Sequence, residues 1–273
     1  MSTDKYVVIG NPVAHSKSPD IHAQFAADTA QDMRYERLLA PLDGFAETVR
    51  DFIREGGRGA NVTLPFKLEA HALATQLSER ARAAGAVNTL KFDGDDIFGD
   101  NTDGVGLVTD IEHNAGIALR GKRILLLGAG GAARGALLPL LQAKPAELMI
   151  ANRTVAKALD LAWEFQMHGP VSASDYDELD GVYDIVINAT SASISAALPP
   201  IAASRFAKGA FAYDMMYAAE PTVFMQFAQK NGCVVRDGLG MLIEQAAEAF
   251  FVWRGVRAQT APVFAALRPP SAT

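Results

Sequence analysis

A glycine-rich turn constrains the fold of this chain more than any other feature of its sequence. In the stretch RILLLGAGGAARGALLPLLQA, residues 123–143, an apolar run leads directly into Gly128, Gly130 and Ala133, and a helical pattern follows. Small residues at these three positions allow a tight turn, the approach of a pyrophosphate to backbone N–H groups, and close packing of the helix on the strand. Such turns also occur for packing alone. The predicted phosphate-binding residues are Gly128, Ala129, Gly130, Gly131 and Ala132.

The end of the next strand-like run indicates which dinucleotide would bind. An NAD-binding protein usually has an acidic side chain about 20 residues after the turn, where it binds the ribose 2'-hydroxyl. This chain has Asn152, Arg153 and Thr154 there, with Lys157 one helical turn further on. A guanidinium binds a phosphate through two charge-assisted hydrogen bonds, so the pattern predicts NADP(H) as the cofactor. The alternative is a solvated arginine and lysine at a helix start.

Strand-like and helical stretches alternate along the chain, which predicts an α/β fold with helices on both faces of mostly parallel sheets. Pro65 is expected in the first turn of a helix, and a long helix is expected to end near Gly85. The Asp93-Gly94 pair predicts a hairpin at a sheet edge, and a first domain ends near Asp103. A last helix, before Gly255, could fold back on either domain.

Composition excludes several classes of function. The 273 residues carry a net charge of −6, which provides no overall basic field for nucleic acid or anionic lipid, so any anion must be bound by a local arrangement. The single cysteine, Cys233, cannot form an internal disulfide, and no spacing of cysteines and histidines suggests a metal site. Neither a signal peptide nor a long apolar run is evident, so we expect a cytoplasmic protein without membrane partners, and the net charge argues against nucleic-acid partners. A monomer or a homodimer is expected.

Polar residues cluster where strands of the first domain give way to loops or helices. Ligands of open α/β sheets bind outside the carboxyl ends of the strands, so these side chains could line one crevice for a small, oxygenated substrate. Plainer roles are available for four of them: a helix cap for Ser18 and Asp103, a strand residue for Thr63 and a turn former for Asn88. The candidate residues are Ser16, Ser18, Thr63, Lys67, Asn88 and Asp103.

Several motifs occur in an order that resembles the shikimate dehydrogenase family. They are GNPVAHSKSP (10–19), NVTLPFK (61–67), AGAVNT (84–89), GDNTDGVG (99–106), GAGGAARG (128–135), NRT (152–154), NATS (188–191), YDMMY (213–217) and DGLGMLIEQAAEAF (237–250). The resemblance implies an oxidoreductase that reversibly reduces 3-dehydroshikimate to shikimate with NADPH, in aromatic amino acid biosynthesis.

The resemblance also implies roles for individual residues. Lys67 and Asp103 would form the catalytic pair, and Thr190, Met215 and Gly238 would join the cofactor-binding residues. The last helix would return to the first domain, giving a substrate domain of residues 1–103 plus 238–273 and a Rossmann-type NADP(H)-binding domain of residues 104–237. Substrate contacts would come from Ser16, Ser18, Thr63, Lys67, Asn88, Asp103, Tyr217 and Gln245.

One departure from the family pattern follows the NATS motif. A glycine is expected within two residues, whereas this chain has Ala192, Ser193 and Ile194. The departure concerns the shape of a loop near the nicotinamide and removes no catalytic group.

The chemistry of ketone reduction suits the proposed pair. A ketone that receives hydride at carbon develops negative charge on oxygen, and an ammonium can both stabilise that charge and donate the proton. Lys67 would supply the ammonium, and Asp103 would hold it in place. Two alternatives stay open: a quinate/shikimate dehydrogenase that prefers NAD, and a catalytically silent NADP(H)-binding regulator.

Overall fold

The computed structural model describes residues 3–192 and 197–268. The chain forms two compact units, Met1–Gly106 with Ile243–Thr273, and Leu107–Leu242. The domain boundaries predicted from the sequence, after residues 103 and 237, remain a prediction. No helix in the described ranges is long and apolar enough to cross a membrane.

The first unit contains a six-stranded sheet in the order β2-β1-β3-β5-β6-β4. Strand β1 is parallel to β2 and β3, and β4 is parallel to β6, whereas β5 is antiparallel to β3 and β6. Consequently the start of β5 and the end of β6 lie at the same sheet edge as the carboxyl ends of β1 and β3. The strands are β1 (Asp4–Gly10), β2 (Met33–Leu39), β3 (Gly57–Val62), β4 (Gln76–Leu77), β5 (Thr89–Asp93) and β6 (Asp96–Asp100).

Helices cover both faces of this sheet. Successive side chains of β1 point to opposite faces, and both sets are buried. Val7 and Ile9 pack with one apolar cluster that includes Phe45 and Phe66, whereas Tyr6 and Val8 pack with a cluster that includes Trp253. The helices are α1 (Ser18–Asp28), α2 (Phe45–Arg54), α3 (Lys67–Leu73), α4 (Glu79–Ala84), α5 (Asp103–Thr109), α9 (Leu239–Arg254) and α10 (Ala261–Leu267). Helices α5 and α9 contain the two boundaries between the units.

Two expectations for this region are wrong. The long helix predicted to end near Gly85 is divided into α3 and α4 by β4, because Thr75 N–H donates to Ile97 O at 2.8 Å and draws the chain into the sheet. The Ser78 hydroxyl then caps α4 by accepting from Ala81 N at 3.1 Å. The Leu64–Pro65 peptide is cis. Helix α3 begins at Lys67, so Pro65 lies in the turn before the helix and not in its first turn.

The second unit is a six-stranded, fully parallel sheet in the order β12-β11-β10-β7-β8-β9. Two three-stranded halves, β7-β8-β9 and β10-β11-β12, meet at the central pair β7 and β10 and give this order, which confirms the predicted Rossmann-type fold. The strands are β7 (Arg123–Leu127), β8 (Glu147–Ala151), β9 (Val171–Ser174), β10 (Tyr183–Asn188), β11 (Phe206–Asp214) and β12 (Val234–Asp237), and the helices are α6 (Gly131–Gln142), α7 (Val155–Phe165) and α8 (Val223–Lys230).

The core of the second unit consists of apolar side chains from the central strands and from α8. Leu125, Leu127 and Val186 pack there with Phe224. Cys233, a free thiol, belongs to the same cluster and is buried. Continuous apolar strands of this kind are typical of a parallel sheet that is covered on both faces.

Candidate functional site

Lys67 and Asp103 form an ion pair at the sheet edge of the first unit. Lys67 is the first residue of α3, which follows β3, and Asp103 is the first residue of α5, which follows β6. The Lys67 Nζ lies 2.5 Å from Asp103 Oδ2. The two side chains are 28% and 18% exposed, so the pair is neither sealed in the core nor fully hydrated.

The side-chain amide of Asn88 holds the other oxygen of Asp103, and Gln245 contacts that amide. Asn88 Nδ2 donates to Asp103 Oδ1 at 2.8 Å, while Asn88 Oδ1 accepts from Thr102 N at 2.9 Å. Gln245, on α9, places Oε1 3.2 Å from Asn88 Nδ2. The structure therefore brings together four residues predicted from the sequence, namely Lys67, Asn88, Asp103 and Gln245.

Ser16 and Ser18 lie after β1, at the amino end of α1. Ser16 Oγ accepts from Ser18 N at 3.2 Å. Ser18 is the first residue of α1 and Lys17 occupies the position before the helix, so Ser18 is not the helix cap that the plainer interpretation suggested. Within the described part of the chain, neither serine is hydrogen-bonded to Lys67 or Asp103.

Thr63 and Tyr217 are two further residues that were predicted to contact the substrate. Thr63 follows β3 and its methyl group lies beside Gly10, where a Cβ would be only 2.4 Å from Thr63 Cγ2. Glycine at position 10 thus permits the close approach of the two strand ends. Tyr217 belongs to the second unit, where burial raises its pKa. Its predicted contact with the substrate stays a prediction.

Two buried polar residues near Asn88 were not predicted. Asn61, at the end of β3, donates from Nδ2 to Asn88 O at 3.2 Å, and Thr102 Oγ1 lies 3.0 Å from Asn88 Nδ2. Both are almost completely buried. The available signal was a polar residue in an otherwise apolar strand end, since buried amides and hydroxyls require partners.

The second unit contains a cavity of about 670 Å³ at the carboxyl ends of β7, β8 and β10. Ten of the twelve predicted cofactor-binding residues line it. These are Gly128, Ala129, Gly130, Gly131, Ala132, Asn152, Arg153, Thr154, Lys157 and Thr190.

Met215 and Gly238, the other two predicted cofactor-binding residues, are not among the residues that line this cavity. They pack against each other: a Cβ on Gly238 would lie 2.1 Å from Met215 O, so no side chain fits at position 238. Gly238 N–H donates to Met216 O at 3.0 Å. The contact indicates a structural requirement for glycine that is independent of any ligand.

The glycine-rich turn has the geometry that a dinucleotide needs. Gly128 has φ +103°, a conformation that favours glycine. A Cβ added to Gly130 or Gly131 would meet no atom within 4 Å, so open space faces the backbone at the start of α6. Ala133 is fully buried where the helix packs on the sheet. The residues present therefore fit a bound pyrophosphate.

The far end of the cavity has cationic and aromatic side chains. Arg153 and Lys157 are exposed at the start of α7, and none of the described lining residues is acidic. Tyr176, which was not predicted, also lines the cavity; burial raises its pKa, and the charge of Arg153 opposes that effect. Ala192 lines the cavity as well, whereas Ser193 and Ile194 of the departure after NATS lie outside the described residues.

Three family models match successive parts of the chain. The shikimate dehydrogenase substrate-binding domain matches residues 8–90, the shikimate/quinate 5-dehydrogenase model matches residues 111–199, and the shikimate 5'-dehydrogenase C-terminal domain matches residues 238–268.

Similar proteins cover nearly the whole chain. The NADP(+)-dependent shikimate dehydrogenase of Janthinobacterium sp. (strain Marseille) is 66% identical over 266 residues, or 97% of each chain. The crystal structure of the Ael1 enzyme from Pseudomonas putida is 50% identical, with a TM-score of 0.93, and the match covers 98% of this chain and 99% of that one. Shikimate 5-dehydrogenase from Thermus thermophilus, in complex with NADP(H) and shikimate, is 33% identical, with a TM-score of 0.85 and coverage of 94% and 96%.

Proposed function

The chain belongs to the shikimate dehydrogenase family, and from that membership we propose that it reversibly reduces 3-dehydroshikimate to shikimate with NADPH. The relative at 66% identity is an NADP(+)-dependent enzyme, in agreement with the cofactor predicted from Arg153 and Lys157. The reaction belongs to the synthesis of aromatic amino acid precursors.

The observation that carries the proposal is the ion pair of Lys67 and Asp103, held by Asn88. When bound, NADPH would supply the hydride for the ketone carbon. Lys67 stabilises the negative charge that develops on the ketone oxygen and donates a proton to it. Asp103 keeps the ammonium in place, and the amide of Asn88 fixes the carboxylate.

Further residues are proposed to bind the two ligands. Arg153 and Lys157 bind the 2'-phosphate, and the backbone of the glycine-rich turn binds the pyrophosphate. Thr190, Met215 and Gly238 complete the cofactor-binding set, although only Thr190 lines the cavity. The proposed substrate contacts, in addition to Lys67 and Asp103, are Ser16, Ser18, Thr63, Asn88, Tyr217 and Gln245.

The proposal extends to the organisation of the protein. We propose a substrate domain of residues 1–103 plus 238–273 and a cofactor domain of residues 104–237. We also propose a cytoplasmic location and a monomeric or homodimeric state.

A crossed substrate and cofactor assay tests the proposed function. Purified protein is offered shikimate or quinate, each with NADP+ or NAD+, and the absorbance of reduced nicotinamide is followed. We expect the highest kcat/KM with shikimate and NADP+. A faster reaction with quinate and NAD+ would support the alternative dehydrogenase, and inactivity in all four combinations would support the silent regulator.

A further inference from the structure

A fully buried histidine lies behind the candidate active site. The ring of His22, on α1, stacks on Tyr35 with centroids 4.2 Å apart and is tilted against Trp253 at 5.2 Å. Its Nε2 is 3.2 Å from Asn61 Oδ1, whereas Nδ1 has no hydrogen-bond partner in the described part of the protein. An unpartnered buried nitrogen destabilises a fold. Packing alone would therefore favour an apolar side chain at this position.

The protonation of His22 follows from its surroundings. Burial lowers its pKa to about 3, so the imidazole is neutral near pH 7 and carries one N–H. Asn61 Nδ2 faces the main-chain carbonyl of Asn88, which can only accept, so Asn61 Oδ1 faces His22 and the Tyr35 hydroxyl. Because Oδ1 is an acceptor, the proton of the imidazole lies on Nε2.

Hydrogen bonds connect His22 to the ion pair through two amides. His22 Nε2–H donates to Asn61 Oδ1, and Asn61 Nδ2 donates to the main-chain oxygen of Asn88 and to Thr89 Oγ1 at 3.1 Å. The Thr89 hydroxyl in turn donates to Asn88 Oδ1 at 2.9 Å. Asn88 Nδ2 donates to Asp103 Oδ1 at 2.8 Å, and Asp103 Oδ2 accepts from Lys67. Asn61 Oδ1 also accepts from the Tyr35 hydroxyl at 2.8 Å, so loss of the His22 N–H leaves this oxygen with one donor instead of two. The amide can then shift, and the shift affects the hydrogen bonds that follow it.

We infer that His22 is a positioning residue, whose Nε2–H fixes the amide of Asn61 and, through Asn88, the direction in which Asp103 holds Lys67. The inference rests on the proposed function, because it concerns the geometry of the same pair. His22 acts through other residues, so its loss affects turnover more than it affects the binding of the cofactor in the second unit.

Two substitutions separate the hydrogen bond from the packing. His22→Leu removes the N–H but keeps an apolar side chain among the aromatic rings, whereas His22→Gln keeps an N–H on a side chain long enough to reach Asn61. We expect His22→Leu to lower kcat for shikimate oxidation about 10- to 100-fold, since a small misplacement of a catalytic group has an effect of this order. The KM for NADP+ and the thermal midpoint should change little. His22→Gln should recover most of kcat.

The inference is overturned if His22→Leu keeps the wild-type kcat, or if His22→Gln is as slow as His22→Leu at equal thermal midpoints. The tautomer provides a readout that does not depend on activity: nitrogen NMR of the wild-type protein should show His22 neutral and protonated at Nε2. Protonation at Nδ1 would also overturn the inference. A wild-type protein that is inactive on shikimate but has the Nε2–H tautomer would contradict the proposed function and leave this hydrogen bond established.

Discussion

Lys67 occupies a position where elementary electrostatics disfavours an ammonium. As the first residue of α3, it lies at the end of the helix that carries partial positive charge. Asp103, with its carboxylate 2.5 Å away, compensates that effect and fixes the lysine in one direction. The same carboxylate is held by Asn88, so the lysine is preorganised without the help of a ligand.

Removal of the amine tests the role of this residue. Lys67→Ala should lower kcat about 10²- to 10⁴-fold, the range expected for a group that transfers a proton, with a smaller change in the KM for shikimate. Lys91→Ala, which removes an exposed lysine from β5, is the matched control and should behave as wild type. Steady-state kinetics check both variants. An unchanged kcat with a raised KM would make Lys67 a binding residue only.

Arg153 should decide between the two nicotinamide cofactors. Arg153→Ala should weaken NADPH by about 1.5 to 3 kcal/mol, the range for a lost charged hydrogen bond, and leave NADH almost unaffected. Fluorescence titration of both cofactors measures the difference. The exposed Arg120 provides a control of equal charge, and Arg120→Ala should change neither affinity. Equal weakening of NADPH and NADH by Arg153→Ala would exclude binding of the 2'-phosphate.

The residues that could be found from the sequence are those in loops and at element ends. Lys67, Asn88 and Asp103 follow or precede strands, and the topology of open α/β sheets places such residues at one edge. Asn61 and Tyr176 could not be assigned in this way. Asn61 is identified by its hydrogen bonds to Tyr35 on β2 and Thr89 on β5. Tyr176 is identified by a cavity whose other lining residues are distant from it in the sequence.

At the scale of elements, two glycines in connections between strands and helices can be compared: Gly130 lies between β7 and α6, and Gly238 lies between β12 and α9. Gly130→Ala should leave stability unchanged, because a Cβ there meets no atom within 4 Å. It should nevertheless weaken NADP+ about 10- to 100-fold, since the methyl group enters the space of the pyrophosphate. Isothermal titration and thermal unfolding measure the two effects. Unimpaired binding of NADP+ would show that the cofactor lies elsewhere.

Gly238→Ala should give the opposite result. Its Cβ would lie 2.1 Å from the Met215 carbonyl oxygen, which belongs to the backbone and cannot move aside easily. We expect a loss of about 1 to 3 kcal/mol in the free energy of unfolding, as for other overpacked positions. Urea denaturation measures it. A variant of wild-type stability would mean that the backbone around Met215 can shift without cost.

Strands and helices with strong patterns were predicted correctly, and the errors have local causes. The apolar runs of β7 and β10 and the glycine that ends α9 are unambiguous signals. Strand β9, with the sequence VSAS, is short and lies at a sheet edge, so it has no apolar pattern to detect. The break between α3 and α4 depends on the pairing of Thr75 with Ile97, a contact that local propensity does not contain.

For the molecule as a whole, His22 predicts a dependence of stability on pH. The pKa of His22 is about 3 in the folded protein and about 6.5 in the unfolded chain. Between these values the unfolded state binds the proton and the folded state does not. The stabilising contribution is therefore complete above about pH 6.5 and is lost as the pH falls towards 3, by about 1.4 kcal/mol per pH unit.

Urea unfolding at several pH values tests this dependence in the first unit. Trp253 is buried there and reports its unfolding, and Trp163→Phe removes the exposed tryptophan of the second unit from the signal. In that background, His22→Gln removes the titrating group while keeping an N–H. As the pH falls from about 6.5 towards 3, we expect the free energy of unfolding to decrease less steeply in the variant than in the background protein, by about 1.4 kcal/mol per pH unit. Parallel pH profiles would show that folding does not lower the pKa of His22.

Cys233 makes the second unit accessible to a different kind of experiment. Its thiol is enclosed by the core, and burial raises its pKa, so an alkylating reagent meets very little thiolate while the sheet is intact. Because the sequence has no other cysteine, every labelled molecule records one opening event near α8 and β12. Mass spectrometry of the adduct over time would thus give the rate at which this half of the chain opens, without any mutation or probe.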